Sequence, residues 1–290
     1  MYAPRQQRTI ARTATVAGFG YWSGRDVSVE FRPAPPGTGV VFVRRDLKPE
    51  VRIRAAVENR IDAPRRTVLR SGGATVEMVE HILAALFGLH IDNCEVWVDA
   101  PEMPGCDGSS QAFVEALTPA GIETQAPMRR ALFVREITRL GDKNVWIEAR
   151  PSPTSSLSVK FHLDYGQGNC VGEQTLSLAV NKDSFRRELA PSRTFLLKSE
   201  ADWLLSQGLG SRVTSKDLLI FDADGPIDNP LRYRDECVRH KALDLIGDLA
   251  LAGCDLVGHF VAYRSGHRLN ADLVRSLLSE AAPAEFRRTA

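Results

Sequence analysis

The chain has no run of 18 apolar residues, so no helix able to cross a bilayer is expected. Its opening residues, MYAPRQQRTIARTA, carry basic side chains but lack the apolar core of a secretory signal. Charge of neither sign dominates: 37 Lys and Arg face 36 Asp and Glu, for a formal net charge of +1. Arg pairs such as Arg44-Arg45, Arg65-Arg66 and Arg129-Arg130 are scattered instead of gathered in a stripe. A nucleic-acid partner is therefore not expected, and neither is an anionic membrane surface. The five cysteines, Cys94, Cys106, Cys170, Cys237 and Cys254, are odd in number and never spaced C-x-x-C. That argues against a disulfide framework and against a cysteine-rich zinc knuckle, and it fits a reducing compartment. A cytoplasmic monomer is expected.

What is present is ordinary for a soluble globular protein, with 43% hydrophobic and 25% charged residues. The length of 290 residues allows one large domain or two medium ones. Short strands bounded by Gly and Pro are expected at 13–17, 27–32 and 40–44. A helix follows over 75–89, capped by Thr75 and striped with Val79, Ile82, Leu83 and Leu86. A strand at 93–98 and a short helix at 110–117 come next. The stretch TPAGIETQAPMRR (118–130) reads as a linker. Beyond it the pattern restarts with strands at 132–136, 145–149 and 157–163, helices near 182–189 and 200–206, and a strand at 218–221. The longest helix, 234–252, is stopped by Gly253. A strand at 256–263 and a helix at 270–280 close the chain. Val79-Glu80-His81 and Val238-Arg239-His240 each open a long helix that is followed by a glycine and a strand. The two halves thus read as an internal repeat of α+β layers, which could pack face to face and bring His81 near His240.

The 234–252 helix carries His240, Asp244 and Asp248 at i, i+4 and i+8, on one stripe. Such a stripe is either an exposed polar face or a metal-binding face, since buried acids need a partner. A catalytic zinc keeps three protein ligands and an open position, and His81 would complete a His/His/Asp set. Glu80 beside it could take a proton from an attacking water. Ser265-Gly266-His267 lies in the expected loop before the last helix, with Gly266 permitting an unusual backbone angle. If Asp248 accepts from its ring, His267 would stay cationic near pH 7. His90, His162 and His259 read as structural or surface residues.

Taken together, these motifs resemble the UDP-3-O-acyl-N-acetylglucosamine deacetylases, the zinc enzymes of lipid A synthesis. The likeness runs over nearly the whole chain: QRTI (7–10), RPA (32–34), GVVF (39–42), VEHILAALFGLHIDN (79–93), APEMPGCDGSSQAF (100–113), SRTF (192–195), RYRDECVRHKALDLIGDL (232–249) and YRSGHRLN (263–270). It implies an α+β fold of two similar sandwich domains packed around a central metal site. The division would fall at 1–125 and 126–290, with an insert near 196–221 forming an acyl passage. It implies Zn²⁺ held by His81, His240 and Asp244, with Fe²⁺ possible because such a set accepts either. Glu80 would be the general base, His267 the catalytic His with Asp248 as its partner, and Thr194 would polarise the acetyl carbonyl. Lys241 and Phe195 would bind the acylated UDP-N-acetylglucosamine. Departures occur where the family's glycine-rich His is Trp22, where a small hydroxyl is Met78, where Gly-Phe is Leu196-Leu197, and where Gly-Gly is Gly210-Ser211. Trp22 and Met78 motivate one rival, a paralogue acting on another N-acyl sugar nucleotide; the others are a zinc-binding regulator without catalysis and a nucleic-acid-binding α+β module, against which the net charge of +1 counts.

Overall fold

The computed structural model of the chain describes residues 3–286. Six α-helices occur among them: α1 (Glu80–Gly88), α2 (Gln111–Ala120), α3 (Lys182–Ser184), α4 (Lys198–Ser206), α5 (Glu236–Leu249) and α6 (His267–Phe286). None is long and apolar enough to cross a membrane.

Strands with alternating burial build two main sheets. Asp26–Pro33 turns Val27, Val29 and Phe31 inward, and Leu157–Asp164 does the same with Leu157, Val159, Phe161 and Leu163. The first sheet runs Ala14–Phe19, Asp26–Pro33, Cys94–Val98, Val40–Arg44, Val51–Arg54. All its neighbours are antiparallel except Cys94–Val98 beside Val40–Arg44. The second runs Thr138–Gly141, Trp146–Arg150, Asp255–Tyr263, Leu157–Asp164, Glu173–Ala179. Along this order only Asp255–Tyr263 beside Leu157–Asp164 is parallel. A short strand, Ala131–Phe133, adds a second parallel pairing to Asp255–Tyr263. The two sheets therefore share one strand order and one set of directions. In each, the central strand is entered from a long helix, α1 in the first and α5 in the second. The internal repeat expected from the sequence is a repeat of topology.

α1 and α5 pack against each other between the sheets. Eight of the nine residues of α1 are buried, so it is enclosed on nearly every side. Close approach depends on Gly247 of α5: a Cβ there would stand 2.1 Å from the carbonyl oxygen of Glu80. The buried apolar cluster is continuous across both sheets and includes Phe31, Phe113, Phe161 and Phe260.

Four local expectations are corrected. α1 does not begin at Thr75, which lies in the strand Ala74–Glu77 opposite Arg70. Gly72 and Gly73, both at positive φ, close a hairpin between Val68–Ser71 and Ala74–Glu77, and two such residues are what a type I′ turn requires. The chain then reaches the helix through Met78, at φ 57°. The segment 118–130 is not the irregular stretch its prolines and glycine suggest. α2 extends to Ala120, and Ile122–Met128 pairs antiparallel with Gln6–Ile10, a partner too distant for local pattern to reveal. His267 is the first residue of α6 and not a loop residue. The positive φ before it belongs to Arg264 (54°), not to Gly266. Gly253, at φ 64°, does stop the helical run after α5.

Candidate active site

The site forms where α1 meets α5. His81 is the second residue of α1, and His240 and Asp244 stand one turn apart on α5. The Nε2 atoms of His81 and His240 lie 3.5 and 3.4 Å from Oδ1 of Asp244. The two rings meet edge to face, with centroids 5.1 Å apart. All three residues are buried, and their donor atoms fall within 4.8 Å of one another. Donors about 2.0–2.1 Å from a tetrahedral zinc stand roughly 3.3 Å apart, so this spacing fits one ion.

The chemistry of the donors fits as well. Nδ1 of His240 is 3.1 Å from the Ser192 carbonyl, which can only accept. Nδ1 therefore carries the hydrogen and Nε2 keeps its lone pair. Burial holds the His240 ring down to about 4 against the pull of Asp244, so it is neutral at pH 7. Burial opposes charge on Asp244, but His240 and Lys241 outweigh it and hold the carboxyl well below the usual range. Lys241 donates to Oδ2 of Asp244 at 2.6 Å, leaving Oδ1 toward the imidazoles. The Ser192–Phe195 segment is fixed by the Arg193 guanidinium, buried against Glu236 at the start of α5 (2.8 Å).

Glu80 and His267 lie beside this cluster. Burial raises the Glu80 carboxyl above its ordinary value. Its Oε2 accepts the Thr67 N–H at 3.0 Å, and its Oε1 is 3.9 Å from Nε2 of His267. Nδ1 of His267 donates to Oδ2 of Asp248 at 2.9 Å. Burial works against charge on the His267 ring, but Asp248, Glu80 and Asp244 together raise it to about 9. Asp248 is fully buried and accepts from three groups: the Thr67 hydroxyl on Oδ1 (2.6 Å), and His267 and the Asn270 amide on Oδ2 (each 2.9 Å). The Ser265 hydroxyl donates to Oδ1 of Asn270 and so turns its NH₂ toward Asp248.

These groups open onto a cavity of about 930 Å³. Glu80, His81, His240, Asp244 and His267 line one wall, with Thr194, Phe195 and Lys241 near them. The Phe195 ring stands 6.4 Å from that of His240, nearly perpendicular to it. Arg65, Arg264 and Arg268 add cationic groups to the cavity lining, and Leu163, Leu196, Leu204 and Leu218 add apolar ones. Three departures noted in the sequence, Trp22, Met78 and Leu196, also line it. Trp22 is covered by the Arg66 guanidinium, 4.4 Å from the ring centroid.

The nine residues given a metal, catalytic or substrate role from the sequence thus lie in or against one site. Sequence reasoning missed Thr67, Asn270 and the Arg193–Glu236 pair. Asn270, three residues after His267, could have been found from helical spacing. Thr67 carries no local signal, since its partners are 13 and 181 residues away.

The family model for UDP-3-O-acyl N-acetylglycosamine deacetylase matches residues 7–279. A Citrifermentans bemidjiense protein named UDP-3-O-acyl-N-acetylglucosamine deacetylase is 38% identical over 276 residues, covering 94% of this chain and 88% of its own. Proteins of the same name from Syntrophus aciditrophicus and Brucella ovis are each 36% identical, again over 94% of this chain and over 86% and 96% of theirs. A match of this extent, on a chain whose matched segments converge on one buried site, identifies the protein as a member of the UDP-3-O-acyl N-acetylglycosamine deacetylase family.

Proposed function

We propose that the chain hydrolyses the N-acetyl group of UDP-3-O-acyl-N-acetylglucosamine, giving acetate and UDP-3-O-acyl-glucosamine for lipid A biosynthesis. Family membership makes it a deacetylase, a hydrolase acting on an amide. The observation that carries the reading is the meeting of His81, His240 and Asp244 with Glu80 and His267 on one cavity wall. His81, His240 and Asp244 would hold the metal, zinc first and ferrous iron as the alternative. When bound, the ion supplies Lewis-acid polarisation of the acetyl carbonyl and lowers the pKa of water toward about 7.

The chain's own groups do the rest. Glu80 takes a proton from the attacking water. Protonated His267 and the Thr194 hydroxyl stabilise the oxyanion that develops on the acetyl oxygen. The leaving sugar nitrogen needs a proton, which Glu80 or His267 would supply; the nearest atoms of the two side chains stand 3.9 Å apart. Lys241 and Phe195 bind substrate on the same wall, Lys241 toward the diphosphate. Leu196, Leu204 and Leu218, contributed by α4 and the segments flanking it, form the acyl passage. The chain is read as two domains dividing near residue 125, within the strand Ile122–Met128. A cytoplasmic setting is consistent with five free cysteines, and one chain supplies every site residue, so a monomer suffices.

A silent zinc protein would need only the ligands, whereas this site also builds Glu80, His267 and Asp248. Trp22 and Met78 on the cavity wall keep the paralogue reading in play. The test is incubation of metal-loaded protein with UDP-3-O-acyl-N-acetylglucosamine and measurement of acetate. Release is expected. No release, together with release from a different N-acyl sugar nucleotide, would replace the substrate assignment with that of a paralogue.

A further inference from the structure

Thr67 is completely buried and stands just before the strand Val68–Ser71. It makes two contacts that no other residue combines among the described hydrogen bonds. Its backbone N–H donates to Oε2 of Glu80 at 3.0 Å, and its hydroxyl donates to Oδ1 of Asp248 at 2.6 Å. The first partner lies on α1 and the second on α5. One residue on a third element therefore ties the carboxylate that faces the attacking water to the carboxylate that orients His267.

We propose that Thr67 is a positioning residue for the deacetylation, holding Glu80 and the Asp248–His267 pair in one geometry through its N–H and its hydroxyl. The inference rests on the reaction assigned above. The geometry leaves the hydroxyl one task. Oδ2 of Asp248 is taken by His267 and Asn270, so Thr67 alone satisfies Oδ1. A buried carboxylate oxygen without a donor is costly, and the carboxylate would turn to share its remaining donors. Any such turn moves the His267 ring, because Nδ1 follows Oδ2. The groups facing His267 are Asp248 and Asp244 from α5 and Glu80 from α1. Arg66, beside Thr67, is taken by Glu77 and Trp22 and adds no free charge.

Thr67→Val isolates the hydroxyl, since it keeps the backbone N–H and nearly the same shape. Asp248 would then spread its charge over two donors instead of three and hold the His267 proton more tightly. Two results are expected in the full-length, metal-loaded protein. The His267 ring, followed by NMR, should titrate at higher pH than in the wild type. The value of kcat should fall about tenfold with KM nearly unchanged, as for loss of a group that orients a reacting one. Thr67→Ser restores the hydroxyl and should return both readouts to wild type. A Thr67→Val protein with wild-type kcat and an unmoved His267 titration overturns the proposal. So does a protein that merely melts earlier while its His267 titration stays in place. The titration needs no substrate, so it decides the role of Thr67 even if the wild type releases no acetate, a result that would count against the proposed substrate alone.

Discussion

In the proposed mechanism His240 holds the metal and Glu80 moves the proton, and single substitutions should separate the two roles. His240→Ala leaves two donors, His81 and Asp244, which hold zinc poorly, so elemental analysis should find most of the metal lost. Glu80→Gln keeps the ligands and should keep the metal, while activity falls by a factor on the order of 10² or more. Equal metal loss in both variants would merge the two roles and refute the division. His267 and Asp248, joined by a hydrogen bond, are expected to act as a second unit. Burial alone would hold the His267 ring low, and Asp248 is the foremost group raising it to about 9. In the proposed mechanism the protonated ring is the active form, so the rate should fall as pH rises through its pKa. Removing Asp248 leaves burial less opposed, and the pKa drops. The alkaline limb of the kcat profile in Asp248→Ala should therefore move to lower pH. The His267→Ala/Asp248→Ala double variant should lose less than the sum of the singles. An unmoved limb or additive losses would make the pair purely structural.

At the level of elements, the long helices were legible and the hairpin before α1 was not. α5 announced itself by the spacing of Val238, Ala242, Leu245 and Leu249 and by Gly253 after it, all of them local signals. Thr75 and Glu77 also look like a helix start, yet the Gly72–Gly73 turn pulls them into a strand, and a cap signal yields to a turn it cannot see. Ile122–Met128 was read as a linker because its partner strand, Gln6–Ile10, is more than a hundred residues away. The residues of the site fared better than the elements carrying them, since His240, Asp244 and Asp248 share a stripe whatever the helix packs on. Gly247 shows what spacing cannot supply. Within a helix, Ala is preferred to Gly by about 1 kcal/mol. Here the added Cβ would lie 2.1 Å from the Glu80 carbonyl oxygen, and overpacking of this kind costs about 1–3 kcal/mol or more. Gly247→Ala should therefore lower Tm and also reduce kcat, because the residue that must yield is Glu80. A variant more stable than wild type would show that α1 and α5 separate freely.

On the scale of the whole molecule, the proposed ligands come from both layers: His81 from the helix that enters the first sheet, His240 and Asp244 from the helix that enters the second. A metal gripping both helices stabilises their packing as well as the site. With free metal a thousandfold above Kd, that linkage amounts to about 4 kcal/mol. In a chain of this size it corresponds to a Tm difference of about 10 °C between metal-loaded and chelated protein. Calorimetry with and without chelator measures it, and identical melting curves would exclude a metal held across α1 and α5. The repeat also explains why such a site can be reactive. Aligned on their histidines, the two helices match at both ends of one stretch: His81 answers to His240, and Gly88, seven residues on, answers to Gly247. Among the positions where they differ is the one four residues after each histidine, where α5 has Asp244 and α1 has Ala85. A perfectly symmetric molecule would close its ion inside two histidines and two aspartates, a saturated tetrahedron suited to holding a fold together. With Ala85 in place of a second carboxylate, an ion held by His81, His240 and Asp244 would keep one position without a protein donor, so the flaw in the symmetry would be the opening through which chemistry can enter.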